Sequence, residues 1–208
     1  MRLRLCLALF CLLAGAAQAA ELQVSLKTAK GQPVRDAVVT LYPASGGGGP
    51  SRLEGPFRMA QDHLMFDPFV LIVPQGGTVS FPNHDTVRHQ VYSFSPTHPF
   101  ELKLYGHDES RSVRFDKVGV VAVGCNIHDS MVAFIKVVDT PYAAKSDASG
   151  LASVRGAPGG QATLRIWHPY LKAPGNEVVR TVTLPAGGTQ REAAVLDVRM
   201  PAPRHNMY

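Results

Sequence analysis

The densest chemistry in the chain lies in seven consecutive residues, Cys125-Asn126-Ile127-His128-Asp129-Ser130-Met131. One short loop between two apolar runs, 119–123 and 132–138, offers a thiol, an imidazole and a thioether. A second imidazole has to come from elsewhere, and His89, at the start of an alternating run, is the candidate. A soft thiolate and two imidazoles in a plane, with a more distant thioether, suit copper. Thioether sulfur is a poor ligand for zinc, which takes Cys, His and carboxylate. A dinuclear copper centre needs a second thiolate, and iron–sulfur clusters need more cysteines still. The expected set is one mononuclear copper ion held by His89, Cys125, His128 and, more weakly, Met131.

Other readings of the same residues stand beside this one. A lone buried thiol packs as a small hydrophobe, and methionine often fills core gaps. His84, five residues before His89, sits beside Pro82 and Asp85 in turn-like sequence and reads as surface. Met59, His63 and Met65 form a loose group that reads as a loop, with a second copper contact or a wall over the site as the alternative. Trp167-His168 reads as a strand end. His205 and Met207 lie in the C-terminal tail. Asp85 near His89 hints at acid–base work, but no nucleophile or oxyanion device accompanies them, and no hydrolase signature is visible. No enzymatic activity is expected.

Three cysteines occur in the full chain, and two of them, Cys6 and Cys11, fall in the first nineteen residues. That segment has Arg2 and Arg4, then an apolar run over 5–14, then the small-residue site Ala17-Gln18-Ala19. This is the layout of a secretory signal peptide. Its apolar run is shorter than the roughly 20 residues a membrane span needs. Cleavage after Ala19 leaves Cys125 as the lone cysteine of a periplasmic protein with no membrane span. In an oxidising compartment such a thiol implies an intermolecular disulfide, an inert buried group or a metal thiolate. Cleavage also removes two arginines and no acid, taking the net charge from +5 to +3. That is too little for a nucleic-acid stripe, so no nucleic-acid partner is expected.

The remaining sequence reads as β throughout. Nineteen glycines and sixteen prolines punctuate short runs of Val, Thr, Phe and Leu, the pattern of an all-β sandwich. Strands are expected at 22–26, 37–42, 69–73, 78–81, 89–94, 101–105, 112–115, 119–123, 132–138, 163–167, 178–184 and 194–198. No convincing amphipathic helix is visible. Composition shifts at Gly46–49 and at Thr140-Pro141 suggest boundaries. The expected organisation is 1–19 signal peptide, 20–49 the first strands of a flanking β-sandwich, 50–139 the metal-binding domain, 140–200 the rest of the flanking sandwich, and 201–208 a disordered tail.

Cys125, His128 and Met131 match the ligand-loop spacing of short-loop, amicyanin-like members of the cupredoxin family. Pro74-Gln75-Gly76-Gly77-Thr78-Val79-Ser80-Phe81-Pro82-Asn83, ahead of His89, resembles the family's upstream turn and strand. Tyr92-Ser93-Phe94-Ser95-Pro96, Gly124-Cys125-Asn126-Ile127-His128-Asp129 and Thr140-Pro141-Tyr142 are similar to plastocyanin-like proteins labelled methylamine utilization proteins. One departure is Gln90, where many cupredoxins have an Asn that ties the two ligand loops together. The flanks carry a second resemblance. Gly31-Gln32-Pro33-Val34, Ala37-Val38-Val39, Ser146-Asp147-Ala148-Ser149-Gly150 and Gly159-Gly160-Gln161-Ala162-Thr163-Leu164 look like a carboxypeptidase regulatory-like, transthyretin-like sandwich. Such a domain implies docking or structure and not peptidase activity.

The first resemblance implies a Greek-key cupredoxin sandwich and a type 1 (blue) copper site cycling between Cu(I) and Cu(II). It implies electron transfer through the exposed edge of His128 to an unknown redox protein partner, and a monomer is expected. Phe81, Ile127, Val132 and Phe134 are the expected apolar shell. Two other functions stay open: a periplasmic copper carrier or storage protein, and a non-redox interaction module.

Overall fold

The computed structural model describes residues 19–46, 53–128 and 130–199. The expected signal peptide up to residue 18, most of the glycine break and the C-terminal tail lie outside the described residues. In chain order the strands are β1 (Ala20–Lys27), β2 (Val38–Pro43), β3 (Phe57–Arg58), β4 (Ala60–Asp62), β5 (Met65–Asp67), β6 (Val70–Pro74) and β7 (Gly77–Pro82). Then come β8 (His89–Ser93), β9 (Phe100–Tyr105), β10 (Ser110–Phe115), β11 (Gly119–Gly124), β12 (Val132–Val138) and β13 (Ala143–Lys145). The last four are β14 (Leu151–Ala157), β15 (Gly160–Trp167), β16 (Glu177–Leu184) and β17 (Gly188–Val195). The chain is all-β: the one helical element among the described residues is a single 3-10 turn at Pro174–Asn176. No helix among them is long and apolar enough to cross a membrane.

The strands gather around two main cores. In the first, sheets β14-β1-β17 and β13-β2-β15-β16 enclose Leu22, Val24, Leu26, Leu41, Val154, Leu164, Ile166 and Leu196. The period-2 alternation of β1 puts Ala20, Leu22, Val24 and Leu26 on one buried face. The turn that feeds β14 needs glycine at Gly150. Its φ is +79°, and a Cβ there would lie 2.3 Å from the Leu26 carbonyl oxygen.

The second core lies between sheet β6-β12-β11-β8-β9 and sheet β10-β7-β3. Phe81, Val91, Tyr105, Phe115, Val121, Cys125, Met131 and Ile135 belong to it. Strand β12 serves both neighbours. Ala133, Ile135 and Val137 point into the second core. On the opposite face Phe134 packs edge-on to Phe69 at 5.6 Å and to Trp167 at 6.2 Å. Lys136 lies over the Trp167 ring at 5.3 Å and pairs with Glu177 at 3.4 Å. Lys145 donates to the Val70 carbonyl at 2.8 Å, a further tie across this junction.

Several elements differ from the sequence expectation. The final strand runs over Gly188–Val195, parallel to β1, and not over 194–198. It is an edge strand with only Ala194 buried, so its polar text hides it. Strands β13 and β14 are rich in Ala, Ser and Gly, residues with weak strand preference. The segment read as a loop near His63 is the β4–β5 hairpin. Its two turn residues, His63 and Leu64, both have positive φ, +53° and +57°. Such turns normally announce themselves as Asn-Gly or Asp-Gly; His-Leu gives no such signal.

His168, just past β15, is fully buried. Its Nδ1 accepts a hydrogen bond from the Tyr170 backbone N–H at 3.1 Å. Burial pushes its pKa down to about 4 from 6.5, so the fold holds it neutral. Its contribution to stability is therefore complete above about pH 6.5 and lost as pH falls from there toward about 4, up to roughly 3 kcal/mol. Urea midpoints of copper-free wild type and His168→Gln should converge across that window. A gap that stays constant with pH would refute this assignment.

Candidate metal centre

Two strand-to-loop junctions in the second core deliver the candidate ligands. Strand β8 alternates, with His89, Val91 and Ser93 inward and Gln90 and Tyr92 on the other face. His89 is 0% exposed. It is placed by the same parity that buries Val91, whereas His84 remains on the surface, in contact with Arg58. Just before His84, Asn83, fully buried, shapes the loop that leads to His89. Its amide donates to the Val87 carbonyl at 2.9 Å and the Tyr105 carbonyl at 3.3 Å. Its side-chain oxygen accepts the Asp85 backbone N–H at 2.9 Å.

The second junction is the loop between β11 and β12. The Cys125 N–H donates to the Met131 carbonyl at 3.3 Å, and the Met131 N–H to the His128 carbonyl at 3.0 Å. These bonds close the loop at its base. Cys125 and Met131 are both buried within the second core, and His128 is half-buried.

The two junctions bring His89, Cys125 and His128 together. One ligand atom from each lies within 4.8 Å of the other two. Cys125 Sγ is 3.7 Å from His89 Nδ1, and the two imidazoles meet edge to face at 5.1 Å between centroids. An ion bonded at about 2.3 Å to sulfur and about 2.0 Å to nitrogen spans such a separation. His128 Nδ1 is buried with no hydrogen-bond partner among the described residues. A buried ring nitrogen ordinarily has one, so this atom is where a metal bond belongs. The donor set fits copper by softness: one thiolate, two imidazoles and a thioether in the same core. Met131 shares that core with Cys125, and His89, Cys125 and His128 form the convergent group.

Sequence reasoning read Asp85 beside His89 only as a hint of acid–base work and passed over Gln61 and Tyr105. Asp85 Oδ2 lies 2.7 Å from His89 Nε2, the ring nitrogen turned away from Cys125. Its spacing of four residues before His89 was the only sequence signal. Gln61, on the unforeseen strand β4, is fully buried and donates to Tyr105 Oη at 2.5 Å. Tyr105, cross-strand from His89, donates in turn to the Phe81 carbonyl at 2.7 Å. Burial pushes the Tyr105 hydroxyl up to about 12, so it remains a donor.

The apolar shell differs from expectation. Phe81 is fully buried with Cys125, but Ile127 is 50% exposed. Phe134 faces a separate small cluster with Val38, Val70 and Trp167, because β12 parity sends it away from the site. Gln90, in place of the loop-tying Asn, donates to Glu101 at 2.5 Å on β9. Met59 is in the core, while Met65 is 56% exposed.

No family model matches the chain, and no curated protein does. Several solved structures resemble part of it. A purple cupredoxin from Nitrosopumilus maritimus is 21% identical, covering 40% of this chain and 100% of its own, with a TM-score of 0.37. A reduced, Cu(I) form of amicyanin is 16% identical, covering 48% of this chain and 99% of its own, with a TM-score of 0.38. A copper-containing nitrite reductase from Thermus scotoductus SA-01 is 26% identical over 55% of this chain, with a TM-score of 0.39; the match spans 28% of the reductase.

Proposed function

We propose that this chain is a periplasmic type 1 copper protein that carries one electron at a time. His89, Cys125 and His128 would hold a single copper ion, with Met131 as a weaker ligand, and the metal would supply the Cu(I)/Cu(II) couple. The observation that carries the reading is the convergence of those three side chains, with His128 Nδ1 buried and without a hydrogen-bond partner among the described residues. The copper module, residues 50–139, is set within a sandwich built from 20–49 and 140–200.

The residues around the site suit electron transfer. Two ligand-bearing side chains are excluded from water, His89 at 0% and Cys125 at 3% exposure. His89 lies on a strand flanked by β11 and β9, and the Cys125–Met131 loop is closed by two backbone hydrogen bonds, so little rearrangement accompanies a change of charge. The half-buried His128 offers its edge to a redox protein partner. We assign the chain no enzymatic reaction, and a monomer suffices because all the ligands come from one chain.

Voltammetry of the copper-loaded protein tests this reading. A reversible one-electron wave is the expected result. Rapid loss of Cu(I) to a mild chelator, without a reversible wave, would mark a copper carrier and contradict the proposal.

A further inference from the structure

We propose that Asp85 is a positioning residue that presents His89 Nδ1 to copper and favours Cu(II) over Cu(I); this rests on the copper reading above. The His89 ring is bracketed by two different groups. Nδ1 faces the Cys125 sulfur at 3.7 Å, and Nε2 faces the Asp85 carboxylate at 2.7 Å. A carboxylate accepts and does not donate, so Nε2 carries the ring hydrogen and Nδ1 keeps its lone pair toward the metal. The pair is sheltered, with side-chain exposures of 0% for His89 and 11% for Asp85, so solvent does little to weaken it.

Asp85 is itself fixed from two directions. The Leu64 backbone N–H donates to its carboxylate, at 3.1 Å to Oδ2 and 3.4 Å to Oδ1. Its own N–H is held by Asn83 Oδ1 at 2.9 Å. The β4–β5 hairpin, whose turn includes Leu64, thereby acts on the site through Asp85 without supplying a ligand. A carboxylate on the far nitrogen makes the imidazole a stronger donor. The stronger donor stabilises the more highly charged Cu(II), which lowers the reduction potential.

Asp85→Asn removes the charge while keeping an acceptor and the shape. It should weaken Cu(II) binding by about 10–100-fold. Each tenfold loss in the preference for Cu(II) over Cu(I) raises the potential by about 59 mV. Asp85→Glu, which restores the charge, should bring the potential back toward wild type. A loaded Asp85→Asn protein with the wild-type potential would overturn the inference. A second measurement needs no copper. Nitrogen NMR of the metal-free protein should find the His89 hydrogen on Nε2 in wild type and redistributed in Asp85→Leu. A hydrogen on Nδ1 in wild type overturns the inference by itself. Failure of the wild type to take up copper instead overturns the reading on which it rests.

Discussion

Replacing Cys125 by Ser should abolish the intense visible absorption of the copper-loaded protein while leaving the fold in place. The absorption comes from charge transfer between a thiolate sulfur and Cu(II), and Cys125 is the one cysteine among the described residues. Serine is close in size but is neither soft nor a thiolate, so the covalent coupling goes with the sulfur. His89 and His128 remain and still attract Cu(II), giving a weakly coloured complex with an ordinary paramagnetic spectrum. Cys125 is 3% exposed, so circular dichroism should confirm that both cores remain assembled. A variant that keeps the wild-type band would remove the thiolate from the site.

The second large effect is expected at Asn83. Its amide satisfies the Val87 and Tyr105 carbonyls and accepts the Asp85 N–H, all around a fully buried side chain. Asn83→Ala leaves those three backbone groups without that partner. At about 1–3 kcal/mol for each unsatisfied group, the cost is on the order of 3 kcal/mol or more. The loop from Asn83 to His89 should loosen as well, weakening copper binding. Urea unfolding of the copper-free variant measures the first effect and copper competition the second. A loss below about 0.5 kcal/mol, the range of ordinary surface substitutions, would contradict this account of the loop.

The candidate ligands stood out in the sequence because their signal is local. Cys125, His128 and Met131 sit at fixed spacing in one loop, and His89 opens a strand whose alternation sets its face. Strong β-formers made the central strands equally plain, as in β12 with Val132, Phe134, Ile135, Val137 and Val138. Three kinds of feature were hidden. The edge strand β17 buries a single residue, so alternation leaves almost no apolar trace. The β4–β5 turn uses His63 and Leu64 in left-handed conformations, which tertiary contacts impose and turn propensity does not suggest. The roles of Asp85 and Gln61 depend on long-range partners: Leu64 is 21 residues from Asp85, and Tyr105 is 44 from Gln61. No spacing rule reaches that far. The misplacement of Phe134 has a similar origin, because its parity is clear but the sequence does not say which face of β12 meets which core.

The most direct measurement is a copper titration of the wild-type protein beside Cys125→Ser, followed by visible absorption and electron paramagnetic resonance. The account predicts a strong band toward the red end of the visible spectrum that saturates at one copper per chain and is missing from the variant. A wild-type protein that saturates with copper and stays colourless would contradict it.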